Sequence, residues 1–540
     1  MVPAVRRLTP LTREALFAAA TAASFAAVLL WAGPPGNDIA AHIYQRALFL
    51  KHGFVLWNNF WYAGRYSFIT YSVLYYPLSA LIGIKALALA SVTAAALGFA
   101  VVIGREWGPA ARWSSRTFAV LWAGTCLSAA FPFALGVALG LLALWALQEG
   151  RRGRFAVLVV LTLAASPLAF LFLVLVLVGI AGTRRPRRAE LVLPAAIVGC
   201  AILGEVVLMR LFPDGGRFPY RPEQLVLALS FCLLGALMTR APRGARPLLG
   251  LFLAYSILCV ISFAIPTELG SNVERLRYAA IPLALLAVSV ASWRPLAVAL
   301  PLLGVAGFWN VKPLIANYQN AAADPAASVR YWQPAITFLH KRLTPSYRVE
   351  VVDTLEHWPA VYFPEANLPI VRGWYRQNDF PANALLYDEE LGPAAYRHWL
   401  RSLGVRYVVL SAAPPDYSSR AEAKLLRSGR SGLRRVLRVP HLTVYELPHA
   451  TSVVTGPARA RVATMGATRL MIDVAAPGRY HVSVRFSPYW HTLEGCVSRA
   501  PDGMTRLAAF LPGPIDLQFK VNVHRSLEAL TGLEPTRFCR

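Results

Sequence analysis

Asp38 is the only acidic residue between Gly33 and Lys85, and it follows Pro34, Pro35 and Gly36 at the point where a long apolar segment stops. A carboxylate so placed could act as general base on a hydroxyl, with His42 one helical turn further on. Asp38 could equally be the N-cap of the next helix, and His42 an ordinary polar residue on it. Downstream, Trp57, Asn58, Trp61, Tyr62, Gly64, Arg65, Tyr66, Tyr71, Tyr75 and Tyr76 form an aromatic, hydrogen-bonding run suited to sugars or head groups. A third group lies in Glu268–Arg277, where Arg275 and Arg277 fall on the side of the membrane that arginine usually avoids. Binding an anion would explain them, and so would ion pairs with Glu268 or Glu274. Arg217, Tyr220 and Arg221 form a second, weaker set.

The elements that must hold these residues are membrane helices. The chain has 540 residues, 56% hydrophobic and 15% charged, with a mean hydropathy of +0.47, whereas soluble domains carry roughly 25% charged residues. The net charge of +26 does not point to nucleic acid, because many of the arginines sit in short loops between apolar runs, where they orient a membrane protein. From a cytoplasmic N-terminus marked by Arg6, Arg7 and Arg13, the spacing predicts about 11 transmembrane helices. Breaks at Phe131-Pro132 and Ser166-Pro167 divide two of the longer runs into hairpins. Arg105, Arg112 and Arg116, then Arg151, Arg152 and Arg154, then Arg184, Arg185, Arg187 and Arg188, and finally Arg240, Arg243, Arg246 and Arg294 then fall inside.

This reading places a polytopic domain at residues 1–312, with a large first external loop at 33–85. In that loop Ile39, Ile43, Ala47 and Leu50 recur at helical spacing, as on an amphipathic helix lying along the membrane. The remainder is expected outside: an α/β domain at 313–450 and a β-sandwich at 451–540 made of short strands between Gly/Pro turns. Lys424–Arg438 reads as a solvated basic helix or loop. Tyr480, Tyr489, Trp490 and His491 could form a carbohydrate-binding face, although core packing is the expected fate of at least half of them. Cys496 and Cys539 would face an oxidising compartment, where a disulfide is permitted. The other four cysteines read as small hydrophobes in spans. No phosphate-binding P-loop, zinc-ligand spacing, dinucleotide fingerprint or nucleophile elbow is present.

The pattern Asp38, His42, Trp57-Asn58, Tyr62, Gly64, Tyr71 and Pro77-Leu78 resembles the GT-C membrane glycosyltransferases, specifically bacterial members with a C-terminal extracytoplasmic domain. Trp399-Leu-Arg-Ser-Leu-Gly-Val-Arg-Tyr-Val-Val-Leu is similar to their soluble region. The resemblance implies a multi-pass protein of the plasma membrane that moves a sugar, with inversion, from a polyprenyl-phosphate donor to an extracytoplasmic glycan, lipid or protein. Asp38 would be the base, Arg275 and Arg277 would hold the donor phosphate, and His42, Trp57, Asn58, Tyr62, Arg65, Arg217, Tyr220 and Arg221 would line the substrate. Many members carry two acids in this loop and this chain has one, so no metal or other cofactor is called for, though a divalent ion is not excluded. Two other classes fit the same spans: a transporter or flippase of lipid-linked glycan, and a non-catalytic envelope assembly protein in which Asp38 is only a cap.

Overall fold

The computed structural model of the chain describes residues 8–184 and 187–531. Arg6, Arg7, Arg185 and Cys539 lie outside the described residues. Contacts divide the chain into two units that interleave along the sequence. The first comprises the residues up to Ile39, Tyr71–Glu205 and Arg217–Ala322; the second comprises Ala40–Thr70, Val206–Gly216 and Ala323 to the C-terminus.

The first unit is helical. Among the described residues the chain has eight helical stretches long and apolar enough to cross a bilayer, from Pro10–Trp31 to Leu296–Ala322, as a multi-pass membrane protein requires. The two predicted breaks are chemical. One helix begins at Phe131 with Pro132 in its first turn, where the missing N–H costs nothing. Another ends at Ala165, and the next starts at Pro167, because the residue before a proline is pushed out of the helical region. The helices Arg112–Trp122, Arg152–Ala165 and Ala280–Val290 have 11, 14 and 11 residues. At about 1.5 Å per residue they fall short of a ~30 Å hydrocarbon core.

Pro167–Arg184 and Arg246–Ala264 pack backbone to backbone at Gly179 and Gly250. A Cβ at Gly179 would lie 2.7 Å from the Gly250 carbonyl carbon, and one at Gly250 would run into the Gly179 carbonyl. Small residues permit such close approach in membrane helices. Gly250→Ala is therefore expected to lower the thermal midpoint in detergent, at an overpacking cost of about 1–3 kcal/mol. Gly304→Ala, where an added Cβ meets nothing within 4 Å, should be neutral or slightly stabilising. Equal midpoints for the two variants would refute the close-packing account.

The second unit contains a four-stranded sheet ordered Arg348–Val351, Val405–Ser411, Leu442–Glu446, Arg434–Val439. Its first pair is parallel and the others antiparallel. Two four-stranded antiparallel sheets follow, spanning Val454 to Phe519, and Leu470, Ile472, Val482, Val484, Leu507, Ile515 and Leu517 share one core. Tyr480, Tyr489 and Trp490 belong to that core, which leaves His491 alone of the four partly accessible.

One expectation needs correction. Lys424–Arg438 is not one basic helix or loop: Arg420–Arg427 is helical, and Arg434–Val439 is an edge strand. Its exposed arginines are what keeps an edge from pairing further. In the helix Ile39–His52 the residues buried in the protein are Ala40, Ala41, His42, Tyr44, Gln45 and Leu48, while Ile43 and Ala47 are half-buried and Leu50 is exposed.

Candidate functional site

Asp38 sits at the end of a loop pinned by main-chain hydrogen bonds. The Asn37 and Asp38 amides donate to the carbonyls of Leu127 and Ser128, at 3.3 and 3.1 Å. Asn37 Nδ2 donates to Asn317 Oδ1 at 3.4 Å. Gly36 lets the loop approach that closely, since a Cβ there would stand 2.5 Å from the Cys126 carbonyl oxygen. The Asp38 carboxylate is thereby held 3.8 Å from the Arg275 guanidinium, and both side chains keep about a fifth of their surface accessible, 21% and 19%.

Arg275 comes from the 3-10 segment Gly270–Ala279 between two helices. Its guanidinium carbon lies 5.6 Å from the Phe133 ring centroid. It borders a cavity of about 140 Å³ in the helical unit whose other lining residues include Phe118, Trp122, Phe172 and Leu283, and among the described residues no other lining residue is charged. Arg277 behaves differently: it pairs with Glu274 Oε2 at 3.8 Å, and Gln224 Nε2 donates to that same oxygen at 2.9 Å. The two arginines that looked equivalent in sequence thus have separate partners. Arg217 and Arg221 are exposed. Arg221 lies 4.0 Å from Glu223, and Tyr220 packs against the Phe263 ring at 6.2 Å.

The remaining predicted residues belong to the second unit. His42 is fully buried, 6.4 Å from the Trp374 ring. Asn58 Oδ1 accepts from the Tyr44 hydroxyl and the Phe60 amide. Trp57 stacks on Phe519 at 5.1 Å, and the Tyr62 hydroxyl donates to the Tyr375 carbonyl at 2.8 Å. Arg65 forms a buried ion pair with Asp214 and lies over the Tyr375 ring at 3.5 Å. Burial works against its charge, but Asp214 and Tyr375 more than offset that and hold it protonated. Trp57, Tyr62 and Arg65 border a cavity of about 540 Å³.

Sequence reading missed the partner Asp214 and a buried charge network in the α/β region. There Arg372 pairs with Asp379 at 2.5 Å and Glu422 at 3.8 Å. Arg376 pairs with Asp353, with Asp379 at 3.8 Å and with Asp416 at 3.1 Å, while His357 Nδ1 sits 2.8 Å from Asp353. Asp353–His357 and Arg376–Asp379 are local pairs, four and three residues apart, but the pairs Arg376–Asp353, Arg376–Asp416 and Arg372–Glu422 span long stretches of sequence, so only the fold brings the network together. Among the described residues no group of three or more His, Cys, Asp and Glu could hold a metal ion.

No family model matches the chain, and no curated protein does. Among solved structures it is similar to two classes of a mutant of the arabinofuranosyltransferase AftD from Mycobacteria. Identity is 16% in both, with TM-scores of 0.49 and 0.45. The match covers 88% and 89% of this chain and 43% of each AftD chain, so this chain spans less than half their length.

Proposed function

We propose that the chain is a membrane glycosyltransferase of the GT-C type, drawing its sugar from a polyprenyl-phosphate donor. The observation that supports this most is Asp38 facing Arg275 at 3.8 Å beside an apolar cavity in which, among the described residues, Arg275 is the one charged lining residue. A cation bordering an apolar slot suits a phosphate attached to a prenyl chain, and a carboxylate beside it suits a hydroxyl that must lose its proton.

In this reading the donor phosphate pairs with Arg275 in place of Asp38. The acceptor hydroxyl gives its proton to Asp38 as its oxygen bonds to the anomeric carbon. The bond from that carbon to the phosphate oxygen breaks, and polyprenyl phosphate leaves with the electron pair, its charge stabilised by Arg275. Attack opposite the leaving group inverts the anomeric centre. The sugar and acceptor enter from the extracytoplasmic side.

The test is transfer by the purified chain in detergent from a panel of radiolabelled polyprenyl-phosphate sugars, with an envelope extract as acceptor source. The expected result is label in the acceptor together with release of polyprenyl phosphate. No transfer from any donor, with an extract that supports transfer by unfractionated membranes, would sink the reading.

A further inference from the structure

The cavity of about 540 Å³ in the second unit is within the size range of small-molecule sites, roughly 300–1,000 Å³, and its charge is out of balance. Arg65, Arg485 and Arg499 border it together with Asp214 and Asp502. Both carboxylates are engaged: Asp214 with Arg65, and Asp502 with His481 at 2.8 Å. Among the described residues neither Arg485 nor Arg499 forms an ion pair. Arg485 donates from Nε to the Tyr62 carbonyl at 3.0 Å, and burial pulls its pKa down. The Arg499 guanidinium lies 5.3 Å from the Phe486 ring. Arg65 is only 3% exposed and lies against Tyr375, yet among the described residues its Nε and Nη1 have no acceptor at hydrogen-bond geometry. A buried donor left unsatisfied costs free energy that a ligand oxygen would return. The approach to Arg65 is also strained, for Tyr62 and Ala63 both have φ of 55° and Gly64 follows at 105°.

We infer that this cavity is a binding site for an acidic saccharide, one or two sugar rings carrying a single carboxylate or phosphate. The arginines without ion pairs take the acid group. The two carboxylates among them accept from sugar hydroxyls, and they would repel a polyphosphate or nucleic acid. The Phe486 ring offers an apolar face for a sugar ring. Binding here does not rest on the transferase reading, since it needs no donor.

Isothermal titration of the full chain in detergent tests it with glucuronic acid, glucose 6-phosphate, maltose and inorganic phosphate. One or both of the acidic sugars should bind at least about tenfold more tightly than maltose and than inorganic phosphate, as the loss of a charge-assisted hydrogen bond implies. Which acidic sugar binds identifies the acid group. Arg499→Gln, on the accessible rim, and Arg485→Gln should each weaken that binding by about tenfold, with thermal midpoints near wild type, while Arg461→Gln, an exposed arginine of the sandwich paired with Asp473, leaves it unchanged. Three outcomes overturn the inference: maltose or inorganic phosphate binding as tightly as the acidic sugars, no binding of either acidic sugar, or full affinity in a folded Arg499→Gln variant.

Discussion

Asp38→Asn is expected to lower sugar transfer by roughly 10²–10⁴-fold, the usual contribution of a positioned general base, in a protein that stays folded. Asn has the same shape, and the loop is held by the backbone amides of residues 37 and 38, which the substitution leaves in place. It removes an ion pair with Arg275 at 3.8 Å, between side chains each about a fifth exposed, and such a pair is worth little to stability. Donor affinity should hold or improve, because Arg275 no longer has a competing carboxylate. Arg275→Gln should do the reverse, raising the donor KM as well as lowering kcat, because the leaving phosphate is deprived of its cation in both ground and transition states. Steady-state kinetics with the donor that supports transfer, beside a thermal melt, separates these effects. A folded Asp38→Asn enzyme with wild-type kcat would remove Asp38 from the mechanism. A variant that fails only through a raised donor KM would recast it as a binding residue.

What the sequence revealed of this arrangement follows from how local each signal is. The breaks at Pro132 and Pro167 were legible because proline acts on its own backbone and its neighbour. The strands Arg469–Val474 and Gly495–Arg499 were legible because alternation and bounding turns lie within a few residues. Asp38 stood out as the lone acid of a long loop. Its pairing with Arg275, 237 positions along, had no local trace, and neither did the separation of Arg275 from Arg277, which are adjacent in type and spacing but are divided by Glu274 and Gln224. The burial of His42 and Gln45 in the helix Ile39–His52 had no local trace either, because a count of apolar positions cannot see polar side chains that the fold encloses.

The same limit hid the α/β network, and its energetics make the second large prediction. Arg372 is 3% exposed and Asp379 and Glu422 are fully enclosed, so Arg372→Met would strand two carboxylates that also hold the Tyr387 and Tyr396 hydroxyls, both at 2.6 Å. Removing one partner of a buried pair costs about 3–5 kcal/mol, a large part of a domain's stability, and a marked fall in the thermal midpoint or loss of folded protein is expected. The pH profile of the wild type carries a signature that simple cavity formation would not. Burial works against ionised Asp353 and Asp379, but His357 and Arg376 around the first, and Arg372 and Arg376 around the second, hold both below the usual range. The stability they contribute is complete above about pH 4, their unfolded value, and is lost as pH falls through their lower folded values. Glu422 runs the other way. Burial first, and neighbouring Asp379 and Asp353, push it up to about 7 against the pull of Arg372, so its contribution is complete below its unfolded pKa of roughly 4.3 and lost as pH rises through about 7. His357 adds to that decline: burial disfavours the imidazolium, but Asp353 outweighs it and raises the pKa. Tryptophan-monitored melting of the full chain in detergent should therefore show the stability from this network greatest at about pH 4 and falling as pH rises toward and past about 7. Glu422→Gln should flatten the alkaline side, and a wild-type profile level from pH 4 to pH 9 would show that the network is not charged as the geometry requires.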